Sequence, residues 1–254
     1  MLICGIGGQG AVFLGSYLRN YFLTKYPSAR IVGTENRGVS QREGSVIASM
    51  RIQTETEEQN IFSPEIPPMS ADLIIALEPL EMLRNFHVVH RQTLILTNNE
   101  PIIPKSSVKW LVGEVKGEES ESVKKYAKSD WLIAHTEGLF DKIPIDSSQS
   151  AIKITKPKKK PGFDSNIPLI SYSKHKNILD LNFYSLVLEE LEESSLLNFV
   201  MLGFLATICP SILDFPSVHS FSWDYFKEES LRQEQNSSAL RYGKKLAGMH
   251  PQFI

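Results

Sequence analysis

Leu2-Ile3-Cys4-Gly5-Ile6-Gly7-Gly8-Gln9-Gly10 stands at the start of the chain, and the reading of this stretch decides the fold. A short apolar run stops at Gly5, glycines recur at Gly7, Gly8 and Gly10, and an amphipathic stretch from Ala11 to Tyr26 comes at once after them. The pattern reads as strand, tight turn, helix. Glycines suit a place where the backbone reverses sharply and a helix or ligand approaches without a Cβ in the way. Such a turn aims the unpaired N–H groups of the helix start at its mouth, where a phosphate or carboxylate is favoured. The spacing Gly5-x-Gly7-x-x-Gly10 also fits the dinucleotide pattern, with Glu35 at the end of a second apolar run as its ribose-binding acid. That acid normally stands about 20 residues on, and the first strand has little room before Gly5. A third reading asks of the glycines only close packing of strand against helix.

A chain of 254 residues buries a substantial core and fits one large domain or a domain with an appendage. The formal net charge of -2 gives no overall field favouring nucleic acid or an anionic membrane. With two cysteines, Cys4 and Cys209, neither a disulfide framework nor a multi-cysteine metal site can be built. His87, His90, His135, His175, His219 and His250 show no ligand spacing, so no metal site is expected. The N-terminus lacks a basic flank, and the most apolar later stretch, Leu196 to Cys209, contains Asn198 and Thr207 and is too short to span a bilayer. These features predict a soluble, cytoplasmic protein.

Along the chain, Arg30 to Thr34 supplies a second strand, and the polar connection from Glu35 to Gly44 leads into an alternating strand from Ser45 to Gln53. That connection gathers Ser40, Gln41 and Arg42 between glycines, a composition suited either to a ligand, to a partner chain or to solvent alone. Ala71 to Leu77 reads as a buried strand closed by Glu78-Pro79, with Pro79 starting a helix through Leu80, Leu83 and Phe86. Glu78 thereby falls at the carboxyl edge of a strand, where open α/β sheets place their ligands, or serves only as a helix-start carboxylate. Thr93 to Thr97, Val108 to Val112 and Trp131 to Ala134 read as further strands, with a charged helix at about Glu118 to Lys128. Alternating strands and helices predict a layered α/β domain, helices on both faces of a mainly parallel central sheet, with helices at the C-terminus.

From about Pro144 to Lys176 lysines cluster with prolines without periodicity, the composition of a mobile surface loop. Ile178 to Leu191 carries helical spacing at Leu181, Tyr184, Leu188 and Leu191, a helix from about Ser194 to Ile208 comes next, and polar helices are expected near Trp223 to Gln235 and Ser237 to Leu246. Met201, Phe204 and Leu205 belong to the expected core. The division so reached is a domain over 1–140, an insertion over 141–177 and C-terminal helices over 178–254 packing on the same domain.

Several ordered motifs together resemble one family. They are Gly5-Ile6-Gly7-Gly8-Gln9-Gly10, Glu35-Asn36-Arg37-Gly38-Val39-Ser40-Gln41-Arg42-Glu43-Gly44-Ser45-Val46, Ala71-Asp72-Leu73 leading to Leu77-Glu78-Pro79-Leu80-Glu81, and Asn99-Glu100-Pro101-Ile102-Ile103-Pro104. Asn198-Phe199-Val200-Met201-Leu202-Gly203 joins them. The chain is similar to the gamma-type domain of 2-oxoacid:ferredoxin oxidoreductases, and among these to the beta subunit of the indolepyruvate branch, over about 1–140 and 190–246. The Ser-Gln-Arg and Leu-Glu-Pro-Leu-Glu elements favour the arylpyruvate branch over the pyruvate and 2-oxoglutarate branches. Two departures stand out: Glu43 occupies the first glycine's place in the Ser-Gln-Arg-Gly-Gly loop, and the lysine-rich segment is an insertion.

The resemblance implies oxidative decarboxylation of a 2-oxo acid with coenzyme A, electrons passing to ferredoxin, with thiamine diphosphate, Mg2+ and [4Fe-4S] clusters as the reactive groups. A four-iron cluster takes four cysteines, and no Gly-Asp-Gly start of a thiamine diphosphate motif occurs in the sequence. The expectation is a non-redox subunit that binds no cofactor alone and is silent in isolation. A larger alpha subunit would hold those groups, and no nucleic acid or membrane would take part. Gly5, Gly7, Gly8, Gln9, Gly10, Glu35, Ser40, Gln41, Arg42, Gly44, Glu78 and Asn99 are the residues expected to shape the shared site or the coenzyme A approach. The alternatives are a nicotinamide- or flavin-dependent oxidoreductase using Gly5, Gly7, Gly10 and Glu35, and a diverged scaffold without activity.

Overall fold

The computed structural model describes residues 1–38, 44–53, 61, 63–101 and 177–250. The strands expected at 108–112 and 131–134, the helix at 118–128, the lysine-rich segment, and Ser40, Gln41, Arg42 and Glu43 lie outside the described residues.

The opening stretch forms strand β1 (Leu2–Ile6), a turn through Gly10, and helix α1 (Ala11–Lys25). Strands β2 (Arg30–Arg37), β3 (Ser45–Gln53) and β4 (Leu73–Ala76) come next, then a short helix α2 (Pro79–Arg84), strand β5 (Leu94–Asn98) and strand β6 (Ile178–Leu181). These six strands make one sheet in the order β2-β3-β1-β4-β5-β6. β1, β4, β5 and β6 pair in parallel, while β3 is antiparallel to both β1 and β2. One strand therefore opposes five, and the mainly parallel layered sheet expected from the sequence is present. β4, in the middle of the parallel strands, is apolar without alternation, Leu-Ile-Ile-Ala, because both of its faces are covered.

Alternate residues divide the core between the two faces. Ile3, Leu73, Ile75, Leu96 and Leu179 pack with α1 and the C-terminal helices, whereas Leu2, Cys4, Ile74, Ala76 and Ile95 pack with Met82, Val88 and Val89. The C-terminal helices are α3 (Phe183–Leu191), α4 (Leu197–Ile208), α5 (Phe215–Tyr225) and α6 (Ser230–Gly248). α4 is almost entirely buried, Met201, Phe204 and Leu205 included, and it crosses α6 where Gly203 and Gly243 let the backbones meet.

Two expectations are corrected. Ile178–Leu181 is a strand in register with Ile95–Asn98 and buried on both faces, so the helical spacing begins to apply only beyond it. Asn182 marks the boundary: its Oδ1 accepts the Ser185 N–H at 3.0 Å, an N-cap that starts the helix at Phe183. The two polar helices also depart from expectation: the first lies earlier, because Asp214 caps α5 through the Ser217 N–H at 2.9 Å, and the second starts earlier and runs longer, from Ser230 to Gly248.

Candidate functional site at the carboxyl edge of the sheet

The ends of β1, β4 and β5 point the same way, and the residues immediately after each of these strands line one edge of the sheet. After β1 the turn places Gly8 at φ +99° and Gly10 at φ +80°, conformations that side chains with a Cβ rarely adopt. Gly8 is exposed, and a Cβ there would meet nothing within 4 Å. The turn's apex is thus open, and its glycine answers to backbone conformation rather than to packing. Gly10 combines both demands, since a Cβ would fall 2.6 Å from Asn198 Nδ2.

Polar groups brace this turn from several sides. Gln9 folds back so that its Oε1 accepts the Ile6 N–H at 2.9 Å while its Nε2 donates to the Leu77 carbonyl at 3.1 Å, tying the end of β1 to the end of β4. Gly5, at the end of β1, lies beneath that amide, where a Cβ would meet Gln9 Oε1 at 2.7 Å. Asn198, in the first turn of α4, donates from Nδ2 to the Gln9 carbonyl at 3.1 Å and the Gly10 carbonyl at 3.5 Å. Those two acceptors fix the amide's orientation. From the other side the Gly7 N–H donates to the Gly44 carbonyl at 2.9 Å, which holds the residue before β3 against the turn.

β4 leads into a pair of buried carboxylates. Glu78, 1% exposed, caps α2 by accepting the Glu81 N–H on Oε2 at 2.8 Å, so the helix-start role read from the sequence is one it does perform. Glu81, 2% exposed, accepts the Ser45 Oγ–H on Oε2 at 2.6 Å and pairs through Oε1 with the Arg84 guanidinium. Cys4 lies in β1 alongside. Burial pushes its thiol far above the ordinary range, with the Glu81 and Glu78 carboxylates acting in the same direction. Cys4 is therefore a neutral, enclosed thiol and no nucleophile. After β5, Asn99 is buried, its N–H donates to the Leu181 carbonyl at 3.0 Å, and its Oδ1 has no hydrogen-bond partner among the described residues.

Gly5, Gly7, Gly8, Gln9, Gly10, Gly44, Glu78 and Asn99 thus share one edge of the sheet. Glu35 is not brought to it. Glu35 pairs with Ala48, which pairs with Ile3, so β3 stands between Glu35 and β1 and the separation is about 10 Å across the strands. Its carboxylate instead receives the Ser16 Oγ–H at 3.3 Å and lies 3.6 Å from the Arg37 guanidinium. The dinucleotide pattern needs its acid at the end of the neighbouring strand, which an intervening antiparallel strand precludes.

Asn198, Ser45 and Glu81 were not singled out as site residues by sequence reasoning. The signals existed: a lone amide in an otherwise apolar helix, and a second glutamate three residues after the capping one. Among the described residues there is no cluster of three or more His, Cys, Asp or Glu able to hold a metal ion. Cys4 and Cys209 pack with different faces of the sheet. No helix among the described residues is long and apolar enough to cross a membrane.

An open, mainly parallel sheet with a braced glycine turn at its carboxyl edge defines a layered α/β domain. The chain belongs to the pyruvate ferredoxin/flavodoxin oxidoreductase family, whose pattern it matches over residues 1–246. It is similar to the indolepyruvate oxidoreductase subunit IorB of Archaeoglobus fulgidus, with 29% identity over 154 residues, 60% of this chain and 67% of that one. The IorB subunit of Thermococcus kodakarensis is 34% identical over 104 residues, 41% of this chain and about half (48%) of its own length. Among solved structures, pyruvate oxidoreductase subunit PORC of Thermotoga maritima shares the fold with a TM-score of 0.52 and 14% identity, over 96% of this chain and 93% of that one. The 2-oxoglutarate:ferredoxin oxidoreductase of Magnetococcus marinus, solved with 2-oxoglutarate, coenzyme A and succinyl-CoA bound, has a TM-score of 0.54 and 12% identity over 98% of this chain and 30% of that one.

Proposed function

We propose that the chain is the non-redox subunit of an arylpyruvate, and specifically indolepyruvate, ferredoxin oxidoreductase, and that its braced glycine turn shapes the approach of coenzyme A to a site shared with a larger subunit. The match to the family over residues 1–246 carries this reading. The kinship to subunits named for indolepyruvate supports the substrate branch.

The chain's own residues fit a shaping role and not a redox one. Two cysteines packed with opposite faces of a sheet do not fit a four-iron cluster, which takes four ligands. Thiamine diphosphate, Mg2+ and the clusters are assigned to the companion, where they would supply carbanion stabilisation and electron transfer to ferredoxin. What this chain offers is an open backbone apex at Gly8 and an edge held by Gln9, Gly44 and Asn198. Pre-set geometry of that kind lowers the ordering needed when a flexible ligand binds. Within this reading, 1–140 and 178–254 form one domain that the 141–177 segment interrupts.

The test is co-expression with a thiamine- and cluster-bearing companion and assay of indolepyruvate- and coenzyme A-dependent dye reduction. A stable complex with activity that depends on both chains is expected. Activity of the isolated chain on an oxo acid, or failure of any cluster-bearing companion to associate, overturns the proposal. A complex that assembles and stays inactive identifies a diverged scaffold, and micromolar nicotinamide binding by the purified chain would restore the dinucleotide reading.

A further inference from the structure

We propose that Glu81 is a positioning residue for the glycine turn, acting through Ser45 rather than by contact with any ligand. The inference rests on the reading of the turn as the coenzyme A approach. The N-cap of this short helix is filled by Glu78, which accepts the Glu81 N–H. Glu81 is therefore free of that duty, yet it is held at 2% exposure, an unfavourable place for a carboxylate unless hydrogen bonds and an ion pair offset the loss of water.

Its two oxygens do different things. Oε1 reaches the Arg84 guanidinium on its own helix, whose side chain is largely exposed. Oε2 reaches out of the helix to Ser45 Oγ at 2.6 Å, across from the end of β1. Ser45 is the first residue of β3, its carbonyl accepts the Gly38 N–H at 2.7 Å, and the preceding carbonyl, that of Gly44, accepts the Gly7 N–H at 2.9 Å. The chain of bonds Glu81, Ser45, Gly44, Gly7 runs from α2 to the middle of the glycine turn. It also fixes Gly38 and Gly44, between which the Ser-Gln-Arg stretch of sequence lies. A charge-assisted O–H bond is stronger than a neutral one and directional, so its loss should let the 44–45 backbone shift relative to the turn without unfolding the sheet.

The experiment compares Ser45→Ala, Glu81→Gln and Arg84→Met in the full chain and in the co-expressed complex. Hydrogen exchange at the Gly7 amide is read in all three, with the Ile75 amide of β4 as reference. Exchange at Gly7 is expected to quicken about tenfold in Ser45→Ala and Glu81→Gln and to stay unchanged in Arg84→Met, Ile75 being unaffected throughout. In the complex, the KM for coenzyme A is expected to rise about tenfold in the first two while the KM for the oxo acid holds, and the double variant should be no worse than the poorer single one. Unchanged Gly7 exchange in Ser45→Ala overturns the inference whatever the complex does. A fall in Tm with no change in exchange or in KM leaves Glu81 a purely structural residue and overturns it too. A wild-type complex with no coenzyme A dependence instead defeats the proposed function, while the exchange comparison still decides the role of Glu81.

Discussion

Glycine is indispensable in two regions of this molecule for opposite reasons. At the carboxyl edge, Gly8 and Gly10 adopt positive φ and the space outside Gly8 is empty. At the crossing of α4 and α6, the backbone is ordinary helix and space is what is missing: a Cβ on Gly203 would lie 2.2 Å from the Leu240 carbonyl oxygen, and one on Gly243 would lie 2.0 Å from that of Val200. Gly8 has room for bulk but not the backbone for it, Gly10 has neither, and Gly203 and Gly243 have the backbone but no room. An open, conformationally special apex suits a place where something else must fit. A closed, conformationally plain crossing suits a core.

The contrast between the two regions can be broken most directly at the crossing. Gly243→Ala gains about 1 kcal/mol in helix propensity but drives a methyl into the α4 backbone at Val200 and Phe204, so a net loss of about 3 kcal/mol is expected. Thermal unfolding should show this as a Tm fall of about 6–12 °C, with KM for coenzyme A unaltered in whatever complex survives. At the turn, Gly10→Ala should cost about 2 kcal/mol, from positive φ and from displacement of Asn198. Gly8→Ala should cost only about 1 kcal/mol, since it adds strain without a clash, yet it should affect coenzyme A binding more than its stability loss suggests. Equal effects of the two turn variants on Tm and on binding would erase the distinction between an open apex and a packed one. Asn198→Ala sharpens it further. Removing the amide leaves the Gln9 and Gly10 carbonyls without that donor at a cost of about 1–2 kcal/mol, and urea unfolding should report it while Gly203 and Gly243 remain intact.

The same division explains what was legible in the sequence. The turn, α1, the alternation of β3 and the start at Pro79 depend on neighbours a few residues away, and each announced itself through glycine, periodicity or proline. The position of β3 between β2 and β1 did not, because strand order is settled by partners remote in sequence and every candidate strand was apolar enough to be central. That insertion is what removes Glu35 from the turn. β6 was hidden for a related reason: Leu181 in this short strand falls in step with the helical spacing of Tyr184, Leu188 and Leu191, and the Asn182 cap marks the boundary between the two elements. At the site, the glycines could be read from their types, whereas the roles of Ser45, Glu81 and Asn198 arise from contacts across the sheet. Glu78 could be placed at the edge and at a helix start together, and it occupies both.

The smallest expected effect tests whether bracing of α1 far from its glycine end matters to the site at all. At the helix's last turn Lys25 Nζ lies 2.7 Å from Asp214 Oδ2, and Asp214 also caps α5, so one carboxylate joins two helices. Hydrogen bonds from Lys25 and Ser217 hold its carboxyl well below the usual carboxylate range. A depressed folded-state pKa means that the stabilisation is fully present above the unfolded value, about 3.9, and is lost as pH falls towards the folded one. Asp214→Asn keeps a competent cap and removes only the charge, so a loss of about 0.5–1 kcal/mol is expected at pH 7. The gap in stability between wild type and variant should narrow below about pH 4 and shrink in high salt, as denaturant titrations would show. Coenzyme A affinity should stay unchanged, because the brace acts at the end of α1 remote from Gly10; a shift in affinity with this variant would mean that the whole helix, and not its braced first turn, sets the geometry of the edge.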